Sequence, residues 1–153
     1  MTSEEFIIWS AGFYDGEGCV LVLSNSGRTR FTLVSSVVQQ DPKPLRMLNN
    51  RFGGGVTTDI NASAGYNRKN GNVLIWRWRV SGAKAYSFLS AIKPYSITKQ
   101  SQIQVALTWP TPYISYIGRS VPIEIIQKRE QIMLELREIR KANKVMLEDH
   151  NVQ

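Results

Sequence analysis

The chain has one cysteine and one histidine in 153 residues. Lone Cys19 excludes an internal disulfide and fits a reducing, intracellular compartment. With His150 as the only histidine, no Cys/His zinc spacing can be written, and a Cys–His nucleophile pair has nothing to stand on. No apolar run approaches a membrane span, and no secretory leader pattern opens the chain; Phe6-Ile7-Ile8-Trp9 is too short and follows two glutamates. P-loop, HExxH and GxSxG patterns are missing too, which removes the common NTPase, zinc hydrolase and serine hydrolase readings. Positive charge is missing from residues 1–20, which hold Glu4, Glu5, Asp15 and Glu17 and no Lys or Arg.

What is present is a core-forming composition and a segregated charge. Hydrophobic residues make up 42%, enough for one domain with its own core and too many for a disordered chain. The net charge is +7, and its placement matters more than its size. Residues 21–100 carry twelve cations (Arg28, Arg30, Lys43, Arg46, Arg51, Arg68, Lys69, Arg77, Arg79, Lys84, Lys93, Lys99) against Asp41 and Asp59. An acidic element attached to a basic middle fits a polyanion held near a metal-binding carboxylate.

The run Trp9-Ser10-Ala11-Gly12-Phe13-Tyr14-Asp15-Gly16-Glu17-Gly18 reads as a helix end with small residues on its surface, closing on two acids among three glycines. Small residues admit a second backbone at close range. The run occurs once, so the partner it calls for is a second copy of the chain. Glu17 beside a bare carbonyl such as that of Gly16 offers hard oxygen ligands suited to Mg²⁺. One carboxylate is a thin metal site, and two copies across a two-fold axis make a better one. Asp15 either caps the packed partner helix or the backbone of its own turn, or it joins Glu17 as a metal ligand.

Periodicity orders the rest. Residues 4–14 predict a helix that Thr2 or Ser3 caps and Gly16 and Gly18 stop. Residues 19–23 and 28–40 predict a hairpin about Asn25-Ser26-Gly27. Phe31, Leu33, Ser35 and Val37 share one face of it; Arg30, Thr32, Val34 and Ser36 share the other. Asp41-Pro42 opens a helix with Leu45, Leu48 and Phe52 inward, and Gly53-Gly54-Gly55 ends it. Residues 56–60 and 73–80 predict two strands around a polar tip at 61–72, with Trp76 and Trp78 inward and Arg77 and Arg79 outward. Helices are expected at 84–92, at 95–108 with Ile97 inward, and as one or two helices over 121–147. The sum is an α+β domain of order αββαββαα over residues 4–108, with a C-terminal helical extension over 113–147. Its four-stranded antiparallel sheet would have helices on one face and a free, basic other face. Two arginines on a strand also fit a plain solvated surface; Arg28 and Arg30 on the neighbouring hairpin lengthen the row and favour a nucleic-acid groove.

Three segments in order resemble the LAGLIDADG homing endonuclease family. Ser10 to Gly18 is similar to the name-giving motif. Gln39-Gln40-Asp41-Pro42-Lys43-Pro44-Leu45 with Arg51-Phe52-Gly53-Gly54-Gly55 is similar to the segment after the second strand, and Ile92-Lys93-Pro94-Tyr95-Ser96-Ile97-Thr98-Lys99-Gln100 to the lysine-bearing segment. Ser10 and Tyr14 depart from the usual aliphatic residues, and Glu replaces Asp as the last acid. The resemblance implies a saddle-shaped sheet on double-stranded DNA and a homodimer whose interface holds Trp9, Ala11, Gly12, Phe13 and Asp15. It implies a Mg²⁺ ion, or another divalent cation, on Glu17 and the Gly16 carbonyl. Lys99 matches the active-site lysine; Gln39, or else Gln40, would position water, and Lys43 takes the place of a basic residue. Both strands of a pseudo-palindromic target would be cut, leaving short 3′ overhangs. Arg30, Thr32, Arg77 and Arg79 would read bases, with Arg28, Arg68 and Lys69 nearer the backbone or the tips. Two other uses of such a fold are an intron-RNA maturase and a DNA-binding regulator that does not cut.

Overall fold

The computed structural model describes residues 1–58 and 74–150, with side chains through residue 146. Helix α1 spans Ser3–Glu17. Thr2 caps it reciprocally: its hydroxyl accepts from the Glu5 amide (3.2 Å), and its own amide donates to the Glu5 carboxylate (2.6 Å). The helix runs through Gly16 to Glu17, one turn beyond the expected stop. Gly18 is at once its C-cap and the first residue of strand β1, Gly18–Ser24. A Cβ on Gly18 would collide with the ring of Tyr14, so the direct helix-to-strand step needs glycine there.

Strand β2 spans Phe31–Gln39. Residues 25–30 form the turn, where Asn25 Oδ1 accepts from the amides of Thr29 (2.9 Å) and Arg30 (3.0 Å). Arg28, at φ 50°, and Arg30 therefore lie in the turn and not on the strand. Helix α2, Pro42–Phe52, starts on Asp41, whose carboxylate accepts from the Lys43 amide (2.8 Å). Strands β3, Gly55–Thr58, and β4, Trp76–Ser81, complete the sheet in the order β1-β2-β4-β3, all antiparallel. Gly54 adopts φ 99°, and a Cβ there would meet the Arg79 carbonyl, so the chain can press against β4 only with glycine.

Directly paired residues share a face. Val20, Val22, Phe31, Leu33, Ser35, Val37, Trp78 and Val80 form the covered one. Helix α3, Gly82–Ile92, buries Ala85, Phe88, Leu89 and Ile92 against it, as the periodicity required. Phe88 is the hub, in edge-on contact with Tyr14, Phe52 and Trp78 at 4.8 to 5.1 Å between ring centres. Trp78 also donates its indole N–H to the Gly53 carbonyl (2.9 Å). Helix α4 spans only Gln100–Ala106, and one long helix, α5, spans Ile123–His150 and packs on α4 and β1 through Ile132, Met133 and Leu136. The expected helix from residue 95 does not form: Ser96 to Lys99 turn their donors onto Asp15 instead, and Ile97 is 82% exposed, not inward.

The other sheet face carries Cys19, Leu21, Leu23, Thr32, Val34, Ser36, Val38, Thr57, Arg77 and Arg79. Its centre is closed. Val34, between Leu21 and Ser81, and Ser36, between Cys19 and Arg79, are buried. Among the described strand residues the cations of this face are Arg77 and Arg79, both on β4. The face is thus apolar towards β1 and basic on β4, rather than basic throughout.

Candidate functional site

The last turn of α1 gathers the chemistry. Glu17 is exposed, and its carboxylate makes no hydrogen bond or ion pair among the described residues. Gly16 is exposed as well, and a Cβ there would meet nothing within 4 Å. The negative end of the helix dipole lies here, with no basic residue in the last turn. The positive charge comes from far along the chain: Lys99 donates its ammonium to the Asp15 carbonyl (3.0 Å). A free carboxylate, an exposed glycine and an ammonium therefore meet at one helical turn.

Asp15, two residues before Glu17, is turned inward along its own chain. Its carboxylate accepts from the Ser96 hydroxyl (2.6 Å) and the amides of Ile97 (2.6 Å), Thr98 (3.3 Å) and Lys99 (3.3 Å). Partial burial works to raise its pKa, but these donors outweigh it and hold the carboxyl below its ordinary range. The carboxylate caps neither its own turn nor a partner helix, but residues 96–99 of the same chain.

The helix surface differs from the expectation. Ser10 and Ala11 are fully buried, with the Ser10 hydroxyl returned to the Phe6 carbonyl (2.7 Å). Their small size lets α1 approach its own sheet and α3, so Ala11 is a core residue and not part of an outer interface. Trp9 and Phe13 stack on each other at 5.3 Å and are half-buried. The outward stripe is Ile8, 47% exposed, then Gly12 and Gly16 at four-residue spacing. A Cβ on Gly12 would likewise meet nothing within 4 Å.

Gln39 ends β2 two residues past Val37, the partner of Gly18, so the strand delivers it to the same end of the sheet as the α1 terminus. Gln40 lies just beyond the strand and is exposed. Lys43 is exposed in the first turn of α2, and no contact ties its side chain to the Glu17 cluster. Thr32 is exposed opposite Leu23, and Arg79 opposite Ser36. Arg28 pairs with Glu130 of α5 (3.2 Å). Arg68 and Lys69 lie outside the described residues.

Sequence reasoning missed Ser96 and Thr98 as partners of Asp15, because no local pattern in residues 95–99 marks them. Arg140 of α5 brings its guanidinium to 3.9 Å from the Cys19 sulfur, a contact that the sequence did not signal. No group of three or more acidic, His or Cys side chains able to hold a metal occurs among the described residues. The donors one chain offers at the α1 end, a carboxylate and main-chain oxygens, are hard oxygens and suit Mg²⁺ or Ca²⁺.

No protein-family model matches the chain, and no curated protein matches it. Solved structures do. The homing endonuclease I-CvuI, in complex with its target in the presence of 2 mM Ca, aligns with a TM-score of 0.58 at 18% identity, over 92% of this chain and 94% of that one. The archaeal intron-encoded homing endonuclease I-Vdi141I, complexed with DNA, aligns with a TM-score of 0.63 at 19% identity, over 88% and 82%. The LAGLIDADG homing endonuclease I-GzeII, in complex with its DNA target, aligns with a TM-score of 0.57 at 15% identity, over 86% of this chain and 43% of that one. The chain has the LAGLIDADG homing endonuclease fold.

Proposed function

We propose that the chain is a homodimeric, Mg²⁺-dependent endonuclease that cuts both strands of a long pseudo-palindromic DNA site, leaving short 3′ overhangs. The observation that carries this reading is the end of α1: an uncommitted Glu17 and an exposed Gly16 beside the Lys99 ammonium. The fold shared with DNA-bound homing endonucleases supports it. So does the open Ile8–Gly12–Gly16 stripe, which leaves room for a second helix and with it a second Glu17.

In this reading Glu17 and the Gly16 carbonyl would hold the metal. A bound divalent ion would supply polarisation of the phosphate and a lowered pKa for the attacking water, so that hydroxide is available as the nucleophile. Lys99 offsets the negative charge that builds on the phosphate oxygens, and Gln39 orients the attacking water. Thr32, Arg77 and Arg79 face the bases, where arginine reads guanine through two parallel hydrogen bonds. Arg28 and Arg30, in the hairpin turn, serve phosphates and supply affinity without sequence information.

The test is incubation of the protein with a randomised duplex-DNA library, with Mg²⁺ or with EDTA, and sequencing of the cut ends. Metal-dependent cuts at one near-palindromic sequence are expected. Sequence-selective retention without cutting would instead define a DNA-binding regulator, and neither outcome on DNA would direct the search to intron RNA.

A further inference from the structure

We propose that Asp15 is a positioning residue for Lys99, not a metal ligand: its carboxylate builds the turn that places the lysine ammonium at the end of α1. The role of Lys99 in catalysis rests on the endonuclease reading; the placement of Lys99 does not.

A carboxylate has two oxygens and about four lone-pair directions. Asp15 accepts four hydrogen bonds, from the Ser96 hydroxyl and the amides of Ile97, Thr98 and Lys99. No direction is left for a cation. Its main-chain carbonyl accepts two more, from the Thr98 hydroxyl (3.1 Å) and the Lys99 ammonium (3.0 Å). One residue thus binds a four-residue segment lying 81 to 84 positions away in the chain.

Elsewhere the segment is tied only at its two ends: the Ser96 amide donates to the Ile92 carbonyl (3.0 Å), the Ser96 carbonyl accepts from the Gln100 side-chain amide (2.8 Å), and the Lys99 carbonyl accepts from the Ile103 amide (2.9 Å). Ser96 is buried, but Ile97 is 82% exposed and Thr98 is exposed, so apolar burial does not hold the turn. Lys99 is the N-cap of α4 and brings no side-chain cap. The lysine itself is a flexible stem with about 2 kcal/mol of rotamer freedom to lose. Its ammonium can stand at a chosen place only if its backbone is set, and Asp15 sets it. Because Asp15 and Glu17 leave the same helical turn, the one residue also fixes the lysine relative to the free acid.

Asp15→Asn keeps the volume and replaces one acceptor oxygen by a donor that faces the amide N–H groups. On the cleaved target kcat should fall about 10- to 100-fold, the usual cost of losing a group that orients a catalytic one, with DNA affinity unchanged. In a Lys99→Met background the same change should add no further loss. An equal loss in both backgrounds, or a loss confined to DNA affinity, would mean that Asp15 only supports the fold or the dimer and would overturn the proposal. A second readout needs no cleavage: the NMR signal of the Lys99 side chain, assigned by its disappearance in Lys99→Met. In Asp15→Asn it should move to the position shared by exposed lysines; a signal that stays in place overturns the proposal. If the parent cuts no duplex, the endonuclease reading fails, and the Lys99 signal still decides this one. Should Asp15→Asn not fold, Ser96→Ala, which leaves the three amide bonds, should move the signal and the rate in the same direction by less; no movement in either overturns the proposal.

Discussion

Gly18 shows how much one residue can carry. It ends α1, starts β1 and leaves the space that the Tyr14 ring fills. Gly18→Ala should cost about 1–3 kcal/mol, the range for forcing atoms into a packed core, read as a lower midpoint in urea unfolding; an unchanged midpoint would mean that Tyr14 can move aside. Tyr14 is itself unusual. Its hydroxyl is buried facing that of Ser35, and burial, only partly offset by Ser35, drives the phenol pKa far above its ordinary value of 10.0. Asp15 gives a pH dependence with a definite sign. Its folded pKa lies below the ordinary 3.8, so its contribution to stability is complete above that value and is lost as pH falls through the lower, folded pKa. Unfolding measured at pH 6 and near pH 3 should show a larger acid loss in the parent than in Asp15→Asn; equal losses would contradict the assignment. The sequence pointed to an acid-bearing helix end at Glu17, and the structure has Glu17 exposed there, at the last residue of α1. The partners of Asp15 were not legible, because the bonds link residues more than eighty positions apart.

Among the elements, local pattern succeeded where burial is one-sided and failed where a distant group intervenes. Ala85, Phe88, Leu89 and Ile92 recur at helical spacing and are buried as that spacing demands. Trp78 and Val80 alternate with Arg77 and Arg79, and the sheet register puts them on opposite faces. Helix α4 has no such signal at its start: the 95–99 stretch reads as helix until Asp15 draws its amides away. Helix α1 misled in another way. A run of small residues says that something packs closely, but not which face meets which neighbour. Ser10 and Ala11 meet the chain's own core, and Gly12 faces out. Gly12→Leu therefore adds a side chain where the isolated fold has open space, while a close helix partner would collide with it. Light scattering at micromolar concentration should find a dimer in the parent and a folded monomer in this variant. A dimer in both would place the interface elsewhere.

Taken whole, the molecule is a sheet with one face buried under helices and the other divided, apolar on β1 and basic on β4. That division predicts a division of labour on DNA. Arg79 is exposed on β4 beside the closed centre of that face, and Arg79→Ala should cost about 1–3 kcal/mol at particular base pairs, seen as relaxed preference in a binding-site selection. A uniform loss across all sequences would make Arg79 a phosphate contact. Fold and chemistry meet at the α1 terminus, where a two-fold pair of helices would bring two Glu17 carboxylates together. The most direct test is Glu17→Gln on the mapped target, with cleavage and DNA retention measured side by side in Mg²⁺. Cleavage should vanish while retention stays at the parent's level; a variant that cuts as the parent does would show that Glu17 is not the metal-binding acid and that the site lies elsewhere.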